Sequence, residues 1–221
     1  MLKHVAIIPD GNRRFCKKNK ISFEKGYEKA INKIFNIVKW CKEYEIKILS
    51  LWGFSTENWK RSETEKKILF KLFENKIKEI LLDERINKES IKIKVIGDVG
   101  KFPMRILFKE VERKTEKNNK LLLNILLNYG GRKEIISAVN RILSENRKKI
   151  TEKAFQKYLW IKDEPDLIIR TGGEMRLSGF MPYQSVYAEL FFIKKYFPEI
   201  TKKDFKKIIK DFNNRERRFG K

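Results

Sequence analysis

Six short apolar runs, at residues 4–8, 45–52, 90–96, 121–127, 166–169 and 189–193, alternate with longer stretches of helical periodicity. This alternation constrains the fold more than any other feature of the chain. Short continuous apolar runs read as strands buried on both faces, which is how parallel-sheet strands look. Amphipathic stretches at 23–44, 63–82, 103–117, 133–143 and 202–217 lie between or after them, with Pro103 expected in a helical first turn. Strands interleaved with helices make a doubly wound α/β fold. No long repeat and no Pro/Gly/Ser linker interrupts the pattern. The reading is therefore one α/β domain over residues 1–221, a mostly parallel central sheet flanked by helices, and large enough to bury a core.

Four of the strands stop at polar or glycine-containing turns, and a parallel sheet brings such ends to one edge, where open α/β sheets form their ligand crevice. Asp10, Asn58, Arg132 and Arg170 are expected to converge there. In Pro9-Asp10-Gly11-Asn12-Arg13-Arg14, Gly11 permits close backbone approach to a ligand, and Arg13 and Arg14 offer forked donors for phosphate oxygens. A carboxylate among phosphate-binding groups makes sense if Asp10 holds a divalent cation, with Mg²⁺ bridging it to a diphosphate. The same residues also read as an ordinary Asp-Gly turn. Ser55-Thr56-Glu57-Asn58-Trp59-Lys60-Arg61 clusters hydroxyls, an amide and a guanidinium, and a helix N-cap box explains part of it equally well. Arg170, followed by Arg176 and Ser178, forms either a grip for one diphosphate or a solvated basic loop. No phosphate-loop or dinucleotide fingerprint occurs.

Composition removes some chemistries and leaves others. His4 is the chain's one histidine, so no mechanism can use a histidine base elsewhere. Cys16 and Cys41 lack metal-ligand spacing and read as reduced thiols of a cytoplasmic protein. The apolar runs are too short to span a bilayer, and Met1 opens no secretory leader. A formal charge of +23 attracts nucleic acid, anionic membrane or a diphosphate substrate without choosing among them.

The six motifs Pro9-Asp10-Gly11-Asn12-Arg13-Arg14, Phe54-Ser55-Thr56-Glu57-Asn58-Trp59, Asn128-Tyr129-Gly130-Gly131-Arg132, Arg170-Thr171-Gly172-Gly173-Glu174-Met175-Arg176, Tyr187-Ala188-Glu189-Leu190 and Arg215-Glu216-Arg217-Arg218-Phe219-Gly220 occur in one order. In that order the chain resembles the cis-prenyltransferases, the undecaprenyl diphosphate synthase family. The resemblance implies a homodimer that condenses isopentenyl diphosphate onto an allylic prenyl diphosphate, farnesyl or geranylgeranyl, to make a Z-polyprenyl diphosphate. It implies Mg²⁺ on Asp10, with Glu189 as a second metal-contacting carboxylate. It places Gly11, Asn12, Arg13, Arg14 and Phe15 at the allylic substrate, with Ser55, Thr56, Glu57, Trp59 and Arg61. It gives Asn58 the role of proton acceptor or relay, and Arg170, Arg176, Leu177 and Ser178 the isopentenyl diphosphate. With the cysteine usage and the charge, the expectation is a cytoplasmic enzyme in peripheral contact with the inner face of an anionic membrane, and no nucleic acid partner.

Several positions depart from the bacterial pattern: Arg13 stands for a common glycine, Phe15 for tryptophan, Phe23 for arginine, and Tyr27 and Met175 for histidines. Pro9 and the paired arginines look more like archaeal members, several of which start from geranylgeranyl diphosphate. The growing product is expected to run between sheet and helices, past Ile68, Leu69, Leu72, Phe73 and Ile77 on one wall and over the leucines of 121–127. Leu126 and Leu127, larger than usual there, are expected to narrow that channel. Two other classes compete. A non-catalytic partner subunit would lack Asp10 or the Arg170/Arg176 pair, whereas a nucleic-acid binder would show salt-sensitive binding to arbitrary DNA.

Overall fold

A computed structural model describes residues 1–216. Its centre is one six-stranded sheet built from β1 (His4–Ile8), β2 (Ile48–Ser55), β3 (Ile91–Ile96), β4 (Leu121–Tyr129), β5 (Leu167–Arg170) and β6 (Glu189–Phe192), in the order β3-β4-β2-β1-β5-β6. Every neighbouring pair is parallel, so "mostly parallel" becomes wholly parallel. All five residues of β1 are buried, as expected of a strand covered on both faces. The helices are α1 (Asn12–Lys18), α2 (Phe23–Glu43), α3 (Glu63–Leu82), α4 (Arg85–Lys88), α5 (Arg105–Lys114), α6 (Gly131–Ser144), α7 (Glu152–Gln156) and α8 (Lys202–Asn213).

Strand parity divides the interior. Val5, Ile7, Leu49 and Leu51 face a core shared with Ile37 and Val38 of α2 and with Phe205, Ile208, Ile209 and Phe212 of α8. Ala6, Ile8, Leu126 and Ile168 face the other way, against Phe180 and Met181. The four buried residues of α8 fall on one stripe, and Thr201 caps its start by accepting from the Asp204 N–H at 3.3 Å.

Several sequence-based boundaries shift. β2 starts later than expected and continues through Gly53-Phe54-Ser55, because the register with β4 slips twice, after Trp52 and again after Phe54. Such paired bulges let a strand carry polar residues up to a site without ending. The turn after β1 is already helical as α1, and α5 begins at Arg105 with Pro103 in the turn before it. Helix α8 stops at Asn213, and the Arg217, Arg218, Phe219 and Gly220 of the last motif lie outside the described residues.

Candidate functional site

The ends of β1, β2 and β5 open onto a cavity of about 400 Å³, lined among others by Asp10, Asn12, Asn58, Arg61, Arg170 and Ser178. Asp10 lies at its centre of charge. Arg170, with its side chain only 6% exposed, donates from Nη2 to Asp10 Oδ2 at 2.8 Å. Its other terminal nitrogen donates to Ser178 Oγ at 2.9 Å and to the Arg176 carbonyl. Arg14 reaches Asp10 Oδ1 at 3.4 Å, and the Gly11 N–H donates to the same oxygen at 2.5 Å. Burial pushes the Asp10 carboxyl up. The Arg170 hydrogen bond, the Gly11 N–H and the charges of Arg170 and Arg14 outweigh it and hold the group below its ordinary value. Asp10 is thus kept ionised and makes a poor proton acceptor.

The Asp10 loop is held from two sides. Thr171 donates to the Asp10 carbonyl at 2.7 Å, and that carbonyl also accepts the Phe197 N–H at 3.1 Å. Gly11 adopts φ +93°, and a Cβ there would come within 2.5 Å of the Tyr196 ring, so the turn needs glycine on both counts. The Tyr196 ring also lies 5.6 Å from the cationic groups of Arg14 and of Lys18. Glu174 ties the first and third turns together by accepting from Arg14 at 3.3 Å and from Arg176 at 2.5 Å.

On the opposite wall, Arg61 contacts the Tyr27 hydroxyl and Glu65 Oε1, each at 3.2 Å, and Tyr27 itself donates to Glu65 at 2.8 Å. Burial drives the Tyr27 phenol well above its usual range, opposed by Arg61 and reinforced by Glu65, so it stays a neutral donor. Asn58 Oδ1 accepts the Ser55 N–H at 3.1 Å, which makes the N-cap reading of this turn correct for the amide oxygen. Ser55 and Glu57 line the cavity; burial raises the Glu57 carboxyl, but its own N–H and the Ser55 and Thr56 hydroxyls pull it lower on balance.

Not every expected residue arrives. Arg132 is exposed outside the cavity. Phe15 points into the buried side of α1, and Trp59 packs against Phe54, Phe70 and Phe102 while donating to Asn128 Oδ1 at 2.8 Å. Leu177 packs on the Ala6/Ile8 face of the sheet. Glu189 stands at the start of β6, beside Leu167 and three residues upstream of the Arg170 level, and pairs with Arg215. The structure does not bring it to Asp10 within one chain. Tyr27, Glu65, Thr171, Glu174, Tyr196 and Phe197 were missed as site residues, although Thr171 and Glu174 sit inside a motif.

Behind the polar cavity lies a second chamber of about 130 Å³ with an apolar wall. Pro9, Ile31, Ile34, Gly53 and Phe73 line both spaces, so the two lie side by side. Leu123, Ile125 and Leu127 of β4 form its floor, and Phe73, Ile77 and Ile80 of α3 one wall. Ile68 and Leu72 line neither space, and Leu69 lines the polar cavity. Leu126 faces the opposite side of the sheet, so it cannot narrow the chamber.

The family model described as "Putative undecaprenyl diphosphate synthase" matches residues 8–220. A tritrans,polycis-undecaprenyl-diphosphate synthase (geranylgeranyl-diphosphate specific) of Pyrococcus furiosus is 46% identical over 99% of this chain and 87% of its own length. An isoprenyl transferase of Thermotoga maritima is 45% identical over 99% of this chain and 96% of its own. Among solved structures, lavandulyl diphosphate synthase from Lavandula x intermedia, in complex with dimethylallyl diphosphate, superposes with a TM-score of 0.93 at 27% identity, covering 100% and 98% of the two chains. A probable undecaprenyl diphosphate synthase from Campylobacter jejuni gives 0.85 at 35% identity, covering 100% and 99%.

Proposed function

This chain belongs to the undecaprenyl diphosphate synthase, or cis-prenyltransferase, family, and from that premise we propose that it condenses isopentenyl diphosphate with an allylic prenyl diphosphate to build a Z-polyprenyl diphosphate. The observation that carries this reading is the adjacency of the two spaces: a cavity ringed by Asp10, Arg61 and Arg170 shares five lining residues with an apolar chamber. A diphosphate attached to a hydrocarbon tail has that same division. The name of the Pyrococcus furiosus relative specifies geranylgeranyl diphosphate, and we extend that starter to this chain.

Arg170, Arg176 and Ser178 hold the isopentenyl diphosphate, and Asn12, Arg13, Arg14 and Arg61 the allylic one, each through charge-assisted hydrogen bonds. In the reaction the allylic C–O bond breaks, a C–C bond forms to the isopentenyl double bond, and one proton leaves. The guanidinium groups stabilise the departing diphosphate, an electrostatic task. Asp10 is held anionic, and the Asn58 amide oxygen is occupied by Ser55 and weakly basic. The proton therefore passes to a phosphate oxygen of the substrates.

The donor set fits Mg²⁺ in one way only. No group of three or more His, Cys, Asp or Glu side chains converges among the described residues, so the protein does not build a cage. A single carboxylate, Asp10, fits a cation that completes its shell with water and substrate phosphates. When bound there, Mg²⁺ supplies charge neutralisation to the leaving group.

Assembly and location belong to the same proposal. Among the described residues β6 forms one edge of the sheet, and the exposed Ile136 and Leu143 of α6 offer apolar surface for homodimer formation. No helix among the described residues is long and apolar enough to cross a membrane. Cytoplasmic synthesis with contact at an anionic membrane surface suits the charge of +23. Incubation with labelled isopentenyl diphosphate and farnesyl or geranylgeranyl diphosphate, followed by sizing of the dephosphorylated product, tests the reading. A ladder of products whose lengths step by five carbons is expected. No consumption of isopentenyl diphosphate with either starter overturns it and leaves a non-catalytic subunit.

A further inference from the structure

The motif Asn128-Tyr129-Gly130-Gly131-Arg132 follows the apolar run of β4, yet none of its residues lines the polar cavity. It meets instead the 3₁₀ turn Thr56–Lys60, which carries Asn58 and leads into Arg61. That turn buries none of its own residues. A single 3₁₀ turn has few and poorly aligned hydrogen bonds of its own, so its position has to come from its neighbours.

Trp59 is the residue through which they act. Its ring stands in a cage of Phe54, Phe70 and Phe102, at centroid distances of 5.3, 5.7 and 5.5 Å. The cage confines the ring, and the indole N–H fixes how it is turned by donating to Asn128 Oδ1 at 2.8 Å. The other end of the same amide is committed too. Asn128 Nδ2 donates to the Asp98 carbonyl at 2.7 Å, in the loop that follows β3. A donor-only indole on one side and a carbonyl on the other leave the amide one orientation. Asn128 is 3% exposed and sits at φ +48°, a left-handed conformation that asparagine tolerates better than most residues. Gly130 completes the contact, since a Cβ there would come within 2.7 Å of the Thr56 hydroxyl. Asp98 in turn accepts from Lys133 at 2.6 Å, which ties its loop to α6.

We infer that Asn128 is a positioning residue: by clamping Trp59 it sets the turn that delivers Asn58 and Arg61 to the reacting diphosphates. The inference rests on the prenyl-transfer reading above and gives a motif that does not line the cavity its part in that reaction. The turn moves as a unit, because Asn58 directly precedes Trp59 and the Asn58 carbonyl accepts the Arg61 N–H at 3.1 Å. Loosening Trp59 therefore displaces both cavity residues. Arg170, Arg176 and Ser178 belong to β5 and the loop after it, and stay in place.

The test measures kcat and both KM values with labelled isopentenyl diphosphate and the better of farnesyl and geranylgeranyl diphosphate. It compares the wild-type protein, Asn128→Gly, Trp59→Phe and the double variant. Asn128→Gly removes the amide but leaves the left-handed backbone unstrained. Trp59→Phe keeps an aromatic ring and removes the N–H. Expected in each single variant is a fall in kcat on the order of tenfold and a several-fold rise in the allylic KM, with the isopentenyl diphosphate KM within about twofold of wild type. The double variant should lose no more than Asn128→Gly alone, because both changes break one bond. Partial unfolding lowers the apparent kcat but moves neither KM, so the allylic KM separates positioning from mere stabilisation. If Asn128→Gly does not fold, as its melting curve would show, Trp59→Phe decides alone. An unchanged allylic KM in a folded variant, equal rises in both KM values, or losses that multiply in the double variant overturn the assignment while prenyl transfer stands. No turnover by the wild-type protein with either starter overturns the reading beneath it.

Discussion

The polar cavity and the apolar chamber share five residues, yet they are held in opposite ways. In the polar half every charged side chain at the centre is tied to another: Asp10 to Arg170 and Arg14, Arg61 to Glu65. In the chamber the lining is fixed by strand register on one side and left half-packed along α3 on the other. A preorganised polar site stabilises developing charge because its donors need not move at the moment of reaction. A site for a lengthening hydrocarbon gains little from such rigidity and needs a wall that yields. The difference separates what should alter the rate from what should alter the product.

The largest expected effect tests the polar half. Asp10→Ala should lower activity by on the order of a thousandfold or more with folding intact. It should leave the lengths of the residual products unchanged, because Asp10 is remote from the α3 wall. Rapid turnover in a folded variant, or a changed ladder, would break the division between the halves.

A second pair of variants probes acid sensitivity. The His4 ring accepts or donates at 2.8 Å to the Ser50 hydroxyl, which also accepts from Asn124 at 3.1 Å, on the sheet face away from the chamber. Burial pushes His4 down to about 4 from 6.5, opposed by the Glu164 backbone and by Asp163 and Asp166. An unfolded chain takes up the proton near pH 6.5, whereas the folded one resists until about pH 4. Stability present above pH 6.5 is therefore lost progressively as pH falls to about 4, by about 3 kcal/mol. Asp10, whose carboxyl is held below its ordinary value, adds a loss of its own only toward the acid end of this range and below it. Urea unfolding at pH 7 and pH 4.5 should show the fall in the wild-type protein and a flatter dependence in His4→Gln. Equal slopes would remove His4 as the cause.

A third comparison sharpens the polar half internally. The Arg176 side chain is 61% exposed and is linked to Asp10 only through Glu174 and Arg14, so Arg176→Ala should chiefly raise KM for isopentenyl diphosphate. Loss of a charge-assisted bond of about 1.5–3 kcal/mol corresponds to roughly tenfold or more. Arg170→Ala removes the same kind of bond and also frees Asp10 of its closest cation, so kcat should fall with it. A rise confined to the allylic KM in both variants would reverse the two diphosphate sites.

Much of this architecture is legible in the amino-acid sequence. Asp10, Asn58 and Arg170 do meet at one edge, because parallel strands deliver their ends together and all three follow apolar runs. Arg132 also follows such a run but is turned outward where α6 begins. The Tyr27–Glu65 pair was hidden, since it joins two helix faces 38 residues apart that periodicity marks merely as amphipathic. The face of each β4 leucine was hidden too. Parity depends on register, and one slipped residue exchanges the faces. The double bulge at Gly53 and Phe54 left no mark beyond a glycine in a strand.

That parity supplies the last and smallest expected effect. Leu126 and Leu127 are adjacent, alike in chemistry and both buried, at 0% and 3% exposure. Leu127 lines the chamber, whereas Leu126 packs with Ala6, Ile168 and Phe180 on the other face. Trimming either removes the same atoms, so any difference in outcome reports what lay beyond them. Leu126→Ala leaves a hole in a filled core, which costs about 2–5 kcal/mol, and gives the chain no new room. Leu127→Ala enlarges a space that already exists, so it should destabilise less and extend the product by about one five-carbon unit. Melting temperatures and product ladders of the two variants, measured side by side, decide the matter. If Leu127→Ala melts as low as Leu126→Ala and its ladder matches the wild-type one, Leu127 is core. The floor of the channel would then lie farther along β4, at Ile125 and Leu123.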